Sequence, residues 1–564
     1  MKHQQSAVLS RGTPSQQDVS RVNADNTINQ RYSSLLEMFE QATTRFSQQP
    51  AFENLGTSLT YQQLDKRSEA LAAYLQQKLG ISAGQRVGLM LPNCLQYPVA
   101  FFAIIRCGAI VVNINPLYTA RELHHQVSDS GVEALIVLSN FAHTVQAVMA
   151  QSPIKHIIVS ELGDEHPVIQ RKLIHFSLHY VKKKVPKWQL IHHKYRDCLK
   201  QGRLLRYQRA QLTRDDIALL QYTGGTTGMA KGAMLTHGNL LANIEQIKAV
   251  YGELLIPGEE RVVSALPLYH IFALMINCLL FIELGGHNRL ITNPLDMDKW
   301  LKGLKNFNFS VISGVNTLYA KLVNHPSFQQ LNFSALKISV AGGMAVQSDV
   351  AAQWQRLTGT PIVEGYGLTE CSPLVSVNPL SITRHTGTIG IPIASTEIQL
   401  LSDDAQPVLR GEPGELCVRG PQVMKGYWRQ TEETTAALDE DGWLHTGDIA
   451  QLTEQGLLKL VDRKKDIIIV SGFNVYPSEI EAVLAEHPLI VEAVAVGISH
   501  EICGETVKVV IVPKDKSLTQ EQVISHCRER LTGYKIPKVI EFRDILPKNP
   551  LGKILRSTLT AAPH

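Results

Sequence analysis

Apolar residues follow helical spacing in some parts of the chain and strand-like runs in others. Residues 60–79 carry leucines at helical spacing; Thr60 and Gln63 have the spacing of a capping box, and Gly80 follows the segment. Residues 87–91 form a short apolar run that ends at a proline, which predicts a buried strand. Because such helices and strands alternate, the sequence predicts an α/β fold of layered, largely parallel sheets.

The two ends of the chain differ from this pattern. Residues 1–30 are rich in Gln, Ser, Asn and Arg, and they predict a disordered arm. From about residue 463 the pattern becomes that of a smaller α+β unit. Its predicted strands cover 467–470, 491–496 and 506–512, and its predicted helices begin at Pro477 and Thr519. We therefore expect a large N-terminal domain over residues 31–462 and a small C-terminal domain over 463–564.

Length and composition exclude several classes of protein. A chain of 564 residues is too long for one hydrophobic core, and 44% apolar with 19% charged residues indicates a globular protein. A net charge of +4 on this length gives no support for a nucleic-acid partner. The eight cysteines include no CxxC pair, which favours reduced thiols in a cytoplasm. No apolar segment of a signal peptide is visible near the N-terminus.

Two segments raise the question of membrane contact. The most apolar window, residues 265–283, contains His270, Asn277 and Glu283, whose burial in lipid would cost kilocalories, so we expect a buried core segment. Residues 171–209 hold twelve Lys or Arg against one acid, Asp197, with apolar residues between them. This second pattern suits contact with an anionic membrane surface, but equally a solvated surface insertion, and both interpretations stay open.

A glycine- and threonine-rich stretch, residues 222–235 (YTGGTTGMAKGAML), separates an apolar strand-like run from a helix predicted over 236–251. Gly224, Gly225 and Gly228 let backbone N–H groups approach an anion, Thr223, Thr226 and Thr227 add hydroxyls, and Lys231 adds a positive charge. The spacing is not that of a P-loop, which needs Ser or Thr after its lysine. A flexible linker is disfavoured between two apolar, periodic segments. The stretch suits a triphosphate.

Two further motifs offer groups for a nucleotide. In residues 364–370 (EGYGLTE), Tyr366 offers a flat face for a purine, Thr369 a hydroxyl, and Glu370 an oxygen ligand of the kind magnesium favours. Asp448, at the end of residues 441–448, can accept two hydrogen bonds from ribose hydroxyls. Taken alone, the first motif could be an ordinary turn and the second a charged surface turn. Together with the glycine-rich stretch they indicate a nucleotide site.

Residues 222–235 resemble the phosphate-binding signature of the adenylate-forming superfamily, which includes acyl-CoA synthetases, luciferases and the adenylation domains of peptide synthetases. The block 441–467 is similar to the signature of fatty acyl-CoA synthetases. The resemblance runs from about residue 32 to 556 and is greatest to bacterial long-chain fatty acyl-CoA synthetases. One departure is Ala230, where the family often has proline; this removes no donor to phosphate.

The resemblance implies a fold, a reaction and a set of residues. The fold is a large N-terminal adenylation and acyl-binding domain with a small mobile lid; the reaction forms acyl-AMP and pyrophosphate from fatty acid and ATP, and then acyl-CoA from CoA. The implied catalytic residues are Lys553, Glu370, Thr369, His270 and Lys231. The implied ATP- and AMP-binding residues are Thr223, Gly224, Gly225, Thr226, Thr227, Gly228, Lys231, Gly343, Glu364, Tyr366, Gly367, Asp448 and Arg463. Lys465 falls at the hinge, Ser471, Gly472 and Phe473 line the CoA path, and Glu370 with Thr226 would hold Mg²⁺.

Other functions share parts of this pattern. A luciferase-like oxidase and an acyl-AMP ligase that loads a carrier protein share the first half-reaction, and a non-catalytic acyl-binding or membrane scaffold protein would not need Glu370, Asp448 and Lys553. The expected partners are long-chain fatty acid, ATP and CoA, with a homodimer implied by the resemblance. The expected location is cytoplasmic, with peripheral attachment to the inner face of the membrane as an open alternative.

Overall fold

The computed structural model describes residues 21–23, 28–223, 230–471, 473–500, 504–549 and 552–560. Three sheets belong to the N-terminal part of the chain and a fourth to the C-terminal part. Among the described residues, no helix is long and apolar enough to cross a bilayer.

The first sheet has seven strands, and all neighbours are parallel except one antiparallel pair at its edge. Its order is Lys231–Thr236, Ile217–Thr223, Ile110–Asn113, Arg86–Met90, Ala134–Leu138, His156–Ser160 and His193–Lys194. The antiparallel pair joins Lys231 to Thr223 across the strands. Thr223 and Lys231, which lie on either side of the glycines at 224–228, are therefore neighbours at one edge of this sheet.

The second sheet has nine strands and a parallel centre. Its order is Ile391–Pro392, Leu374–Val377, Ile362–Gly367, Ile338–Ala341, Val311–Gly314, Arg261–Ser264, His287–Leu290, Pro50–Asn54 and Thr57–Thr60. Several predicted site residues follow strands of its parallel centre, as expected for an open α/β sheet, in which ligands bind beyond the carboxyl ends of the strands.

One hydrophobic core contains residues of both sheets, and every residue of the helix Gln96–Arg106 is buried in it or beside it. The other α-helices of this part are Leu35–Arg45, Tyr61–Leu79, Ala120–Ser130, Ala142–Val148, Val168–Phe176, Tyr195–Gly202, His237–Tyr251, Ile271–Ala273, Leu280–Glu283, Met297–Leu304, Asn316–Val323, Pro326–Gln329, Ser348–Thr358 and Thr431–Ala437. Thr60 caps its helix with Gln63, and Gly80 ends the helix in the left-handed region, so both predicted boundaries are confirmed.

The apolar window predicted to be a core segment is buried. Its central π-helical turn, Leu274–Leu279, has no exposed residue, and the Asn277 side chain donates to the Val263 carbonyl at 3.2 Å and accepts from the Ser313 hydroxyl at 2.7 Å. These bonds satisfy the polar group that would be costly in lipid. The prediction of a core segment is confirmed.

The third sheet is antiparallel, with the order Arg21–Asn23, Glu397–Leu401, Gly414–Arg419, Leu444–Leu452 and Leu458–Arg463. Arg21–Asn23 pairs with Glu397–Leu401, so the prediction of a disordered arm over 1–30 is wrong for these three residues. An edge strand offers unpaired backbone groups to any extended segment, which explains why a polar sequence without periodicity forms a strand here. Residues 1–20 lie outside the described part of the chain.

The C-terminal part begins after a 3₁₀ turn, Lys464–Asp466, beside the predicted boundary at residue 463. Its sheet has the order Phe473–Val475, Ile468–Val470, Gly504–Pro513 and Ile490–His500, and Val539–Phe542 pairs in parallel with Gly504–Pro513. The helices Pro477–Ala485 and Gln520–Arg528 pack on this sheet around a separate hydrophobic core. The predicted capping box of Thr519 and Gln522 is confirmed.

The basic segment 171–209 has two different halves. The first continues the helix Val168–Phe176 through a π turn, Ser177–Val181, and has no buried residue. The second contains the helix Tyr195–Gly202, in which Tyr195 and Cys198 are buried in the main core. Only the first half is therefore a surface segment.

Candidate active site

Lys231, a predicted phosphate ligand, lies where the edge strands of the first sheet approach residues 425–428. The Met234 N–H donates to the Gly426 carbonyl at 2.9 Å, and the Trp428 N–H donates to the Gly232 carbonyl at 2.8 Å. This pairing places the Tyr427 ring 5.4 Å from Lys231 Nζ, within cation–π distance.

Glu370 lies in the short 3₁₀ turn Thr369–Cys371 beside that ring. The Tyr427 hydroxyl donates to Glu370 Oε1 at 2.7 Å, and burial together with the Glu370 charge raises the pKa of Tyr427 above its usual range. Among the residues that the structure describes, none donates a hydrogen bond to Glu370 Oε2. One carboxylate oxygen is thus fixed and the other is available to a ligand.

Lys231 forms an ion pair with Glu433, and both side chains are partly exposed. An exposed ion pair of this kind contributes at most about 1 kcal/mol. A phosphate group carries more charge than one carboxylate, so it can replace Glu433 as the partner of Lys231.

Gly367 is required by packing at the end of the strand Ile362–Gly367. A Cβ atom there would lie 2.1 Å from the Pro373 carbonyl oxygen, and the neighbouring Leu368 N–H donates to that same oxygen at 3.0 Å. Any side chain would push these backbones apart. The glycine thereby fixes the position of the turn that carries Thr369 and Glu370.

Tyr366, Asp448 and Arg463 form a connected group. The buried Tyr366 hydroxyl donates to Asp448 Oδ2 at 2.6 Å, and Arg463 Nε lies 3.1 Å from Asp448 Oδ1. Asp448 and Arg463 are cross-strand partners in the third sheet, which sets this geometry. Burial, and then the Asp448 charge, raise the pKa of Tyr366 far above its usual range, so the hydroxyl stays a donor. Each carboxylate oxygen keeps a lone pair for a ribose hydroxyl.

A pocket of about 340 Å³ opens beside this group. Its lining residues are Thr446, Gly447, Asp448, Arg463, Lys464 and Lys465. The pocket is thus lined both by Asp448 and Arg463 of the third sheet and by Lys465, the predicted hinge. Burial and the nearby Arg463 lower the pKa of Lys465.

Glu364 supports the loop that follows the strand Ile338–Ala341. Its Oε1 accepts from the Val346 N–H at 2.9 Å, and its Oε2 lies 3.1 Å from His385 Nε2. The Glu364 carboxylate raises the pKa of His385. Gly343 in this loop has a φ of +80°, a region that favours glycine.

His270 lies at the start of the helix Ile271–Ala273, and its Nδ1 accepts from the Phe272 N–H at 3.3 Å. Burial lowers the pKa of His270 to about 4, so the imidazole is neutral near pH 7. Because Nδ1 is the acceptor, the ring proton is on Nε2, where it can be donated to a carboxylate. His270 therefore offers a hydrogen bond without a charge.

Lys553 of the C-terminal part lies near the predicted nucleotide-binding residues Asp448 and Arg463. The turn before it contacts the N-terminal part, since a Cβ atom at Gly552 would lie 3.0 Å from Thr317 Oγ1. The Lys553 N–H donates to Asn549 Oδ1 at 2.9 Å, which holds the turn. Burial, and then the positive charge of Arg463, lower the pKa of Lys553 to about 8. The negative charge of Asp448 opposes this lowering of the pKa, so Lys553 lies close enough to Asp448 and Arg463 for their charges to affect it.

Two of the predicted CoA-path residues, Ser471 and Phe473, lie at the ends of neighbouring strands of the C-terminal sheet. Ser471 has a φ of +50°, and the half-exposed Phe473 ring stacks on Tyr534 with 4.8 Å between ring centres. Gly472 lies outside the described residues, as do Gly224, Gly225, Thr226, Thr227 and Gly228 of the glycine-rich stretch.

The structure adds residues that the sequence did not indicate: Tyr427, Glu433, Thr317 and His385. Tyr427 is 57 positions from Glu370, and Glu433 is 202 positions from Lys231. No local spacing could have paired them. The one local signal was Gly426, which stands directly before Tyr427 and Trp428. A glycine in an extended segment often marks a place where another backbone approaches closely.

Residues 39–428 match the family of AMP-binding enzymes, and residues 479–553 match the AMP-binding enzyme C-terminal domain. The chain is 56% identical to a long-chain-fatty-acid–CoA ligase of Escherichia coli O157:H7, over 94% of each chain. It is 51% identical to a protein of the same name from Haemophilus influenzae, again over 94% of each.

Solved structures of similar fold include ATP-bound MatB from Rhodopseudomonas palustris, with a TM-score of 0.79 and 26% identity over 93% of this chain and 98% of that one. The anthranilate CoA ligase AuaEII in complex with anthranoyl-AMP has a TM-score of 0.80 and 24% identity over 94% and 96%. The layered α/β fold with a large N-terminal and a small C-terminal domain is thus confirmed. The chain belongs to the family of AMP-binding enzymes.

Proposed function

We propose that this protein is a fatty acid–CoA ligase that activates long-chain fatty acids with ATP and transfers them to CoA. The observation that carries the proposal is the convergence of Lys553 with Asp448 and Arg463, at a site whose phosphate side holds Lys231 and Glu370. The relatives named long-chain-fatty-acid–CoA ligase, at 51–56% identity, support the choice of substrate.

The first half-reaction needs positive charge where negative charge grows. An oxygen of the fatty carboxylate attacks the α-phosphorus of ATP, the bond to the β-phosphate oxygen breaks, and pyrophosphate leaves with the electron pair. Lys231 lies on the phosphate side and Lys553 on the ribose side, so each can stabilise charge that develops in that step. Thr223, the cross-strand partner of Lys231, adds a hydroxyl, and Thr369 adds a second one beside Glu370.

The nucleoside is held by the third sheet. Asp448 accepts ribose hydroxyls while Tyr366 and Arg463 fix its carboxylate. His270 donates from its neutral ring to the fatty carboxylate or to the acyl phosphate. A neutral donor orients the carboxylate without lowering its nucleophilicity as much as a full positive charge would.

Magnesium fits the phosphate side. Glu370 Oε2 is a free hard oxygen, which Mg²⁺ combines with phosphate oxygens, and the predicted second ligand, Thr226, lies outside the described residues. When bound, the ion neutralises charge on the triphosphate.

The second half-reaction requires a different group at the same carbonyl. The CoA sulfur attacks the acyl carbon of acyl-AMP, the bond to the phosphate oxygen breaks, AMP leaves, and the thiol proton goes to solvent. Lys553 occupies the site in the present arrangement, so a swing of the C-terminal domain about Lys465 would withdraw it. Ser471, Gly472 and Phe473 would then line the CoA path.

The test measures pyrophosphate and acyl-CoA with Mg·ATP across short to long fatty acids, with and without CoA. We expect acyl-CoA to form, with the highest kcat/KM for long chains. Pyrophosphate without acyl-CoA would instead indicate an acyl-AMP ligase for a carrier protein, and no pyrophosphate with any acid would contradict the proposal. Homodimerisation, implied by the resemblance, is tested separately by sedimentation equilibrium.

We also propose that the surface helix, residues 168–181, contacts an anionic membrane peripherally. Leu173, Phe176 and Tyr180 are 64%, 58% and 66% exposed, and lysines flank them in sequence. Apolar side chains beside basic ones suit the boundary of an anionic bilayer. Phe176→Ser should weaken sedimentation with phosphatidylglycerol vesicles. Leu295→Ser, at an apolar position elsewhere that is 80% exposed, should not; equal loss in both would contradict the contact.

A further inference from the structure

Away from the nucleotide residues, three side chains form a group with the composition of a metal site: Glu161, His175 and His179. His179 Nε2 lies 3.2 Å from Glu161 Oε2, and His175 Nδ1 lies 3.9 Å from the same oxygen. Within the described ranges, this is the one group of three or more such side chains close enough to share an ion.

The fold builds this group from two elements. Glu161 directly follows the strand His156–Ser160 of the first sheet, and the buried Ser139 hydroxyl donates to its Oε2 at 2.9 Å. His175 and His179 are four positions apart, so they lie on one face of the surface helix, with rings stacked 4.0 Å apart. The carboxylate is thus fixed on the core side, and the two imidazoles come from the surface side.

The spacing fits a tetrahedral ion. Zinc binds nitrogen and oxygen at about 2.0–2.1 Å, which places tetrahedral ligand atoms about 3.3–3.4 Å apart. The two histidine nitrogens lie 3.2 and 3.9 Å from Glu161 Oε2, and all three ligand atoms lie within 4.8 Å of one another. Only a small side-chain shift is needed to reach the tetrahedral value. Two imidazoles with one carboxylate suit zinc-type ions, whereas magnesium and calcium prefer oxygen ligands alone.

We propose that Glu161, His175 and His179 bind a divalent transition ion of the zinc type, with water in the fourth position. The Ser139 hydroxyl donates to Oε2, the same oxygen that faces the two histidines, and so holds this ligand atom in place, as outer partners of metal ligands do. The bound ion fastens the surface helix 168–181 to the end of a core strand. It thereby fixes how the exposed apolar residues of that helix are presented, independently of the chemistry at the nucleotide site.

The first test is titration of tag-free full-length protein with Co²⁺, followed by its visible absorption. We expect one equivalent to give the intense bands of tetrahedral cobalt, and one equivalent of Zn²⁺ to remove them. His175→Ala and His179→Ala should lose the bands, while His143→Ala, an exposed histidine outside the group, should keep them. Ser139→Ala should weaken binding by about tenfold while the bands stay tetrahedral.

The second readout is cleavage by trypsin after the lysines at 182–184. Zinc should slow this cleavage in the unsubstituted protein and in His143→Ala, but not in His179→Ala. Circular dichroism checks that every variant is folded. Tetrahedral bands that persist in both histidine variants, or no tetrahedral bands in the unsubstituted protein, would overturn the proposal.

Discussion

The two walls of the proposed nucleotide site are built differently. On the N-terminal side, Tyr366 and Arg463 fix both oxygens of Asp448, and a glycine at 367 lets the backbones meet closely. On the C-terminal side, Lys553 is brought into a buried position near two other cations, Arg463 and Lys465. The first wall has its polar groups paired before any ligand binds. In the second, a lysine loses water on burial and lies near two like charges, and the carboxylates of Asp448 and Asp466 offset this only in part.

This difference explains how one site can serve two steps. The paired wall can hold the nucleoside throughout. Docking the charged Lys553 has an electrostatic cost below about pH 8, and this cost falls as pH rises from there toward the ordinary pKa of 10.5. A triphosphate supplies the missing negative charge, and its loss as pyrophosphate removes it. We therefore expect the lid to be held most strongly while ATP is intact.

Loss of Lys553 should have the largest effect. Lys553→Ala should slow acyl-AMP formation by about 10²–10³-fold, the cost of removing one donor to a developing charge. Thioester formation from supplied acyl-AMP should stay within a few-fold. Lys548→Ala, which removes a lysine of the same domain that pairs with Glu492, is the matched control. Equal loss in both half-reactions would contradict a role confined to the first step. The measurement is single-turnover kinetics of each half-reaction.

Disrupting the paired wall should affect nucleotide binding next most strongly. Asp448→Asn removes the charge that pairs with Arg463. Hydrogen bonds to charged groups contribute about 1.5–3 kcal/mol, so the Kd for ATP should rise by about 10–150-fold. Tyr366→Phe, which leaves the carboxylate charged, should have a smaller effect. The Kd is measured by calorimetry. An unchanged Kd for ATP in Asp448→Asn would mean that Asp448 does not bind the ribose.

The lid should also respond to pH. Because the pKa of Lys553 is lowered to about 8, its ammonium is lost as pH rises through that value. The kcat/KM for ATP in the first half-reaction should fall by about fivefold between pH 8 and 9, and by about tenfold more between pH 9 and 10. In Lys553→Arg this alkaline limb should move beyond pH 10, since arginine stays protonated. If kcat/KM fell at the same pH in both proteins, the titrating group would be a residue other than Lys553.

The smallest effect should come from the ion pair on the phosphate side. Glu433→Gln frees Lys231 from its exposed partner, which corresponds to a gain of about 0.2–1 kcal/mol. The KM for ATP should therefore fall by about 1.4- to 5-fold. Glu432→Gln, an exposed neighbour, should leave KM unchanged. A rise in KM on Glu433→Gln would mean that Glu433 supports the triphosphate instead of competing with it.

Sequence patterns predicted the local parts of this structure well. The capping pairs at Thr60 and Thr519 set helix starts through contacts three residues apart, so their information is local. The motif around Asp448, and for Arg463 the family resemblance, predicted contacts with the ribose, but the pairing of the two residues with each other depends on strand register. Tyr366 was predicted as a flat face for a purine, and its hydroxyl bond to Asp448 was not foreseen.

Long-range contacts could not be predicted in the same way. Tyr427 reaches Glu370 only because residues 425–428 pair with a strand nearly 200 positions earlier in the chain. The contact of Gly552 with Thr317 depends on how the two domains meet. Such contacts are set by packing of the whole chain and leave no periodic signal in sequence.

The proposed mechanism requires the lid to leave its present position between the two steps, and a disulfide can test this movement. A Cβ atom at Gly552 would lie 3.8 Å from Thr317 Cβ, the usual separation across a disulfide, and the seven described native cysteines are buried. Oxidised Thr317→Cys/Gly552→Cys should still form acyl-AMP and pyrophosphate in one turnover but no acyl-CoA, and reductant should restore acyl-CoA. Each single variant is the control, and Gly552→Cys alone measures the effect of a side chain at this position, whose φ is +82°. Acyl-CoA formed by the oxidised double variant at the rate of the reduced one would contradict the account.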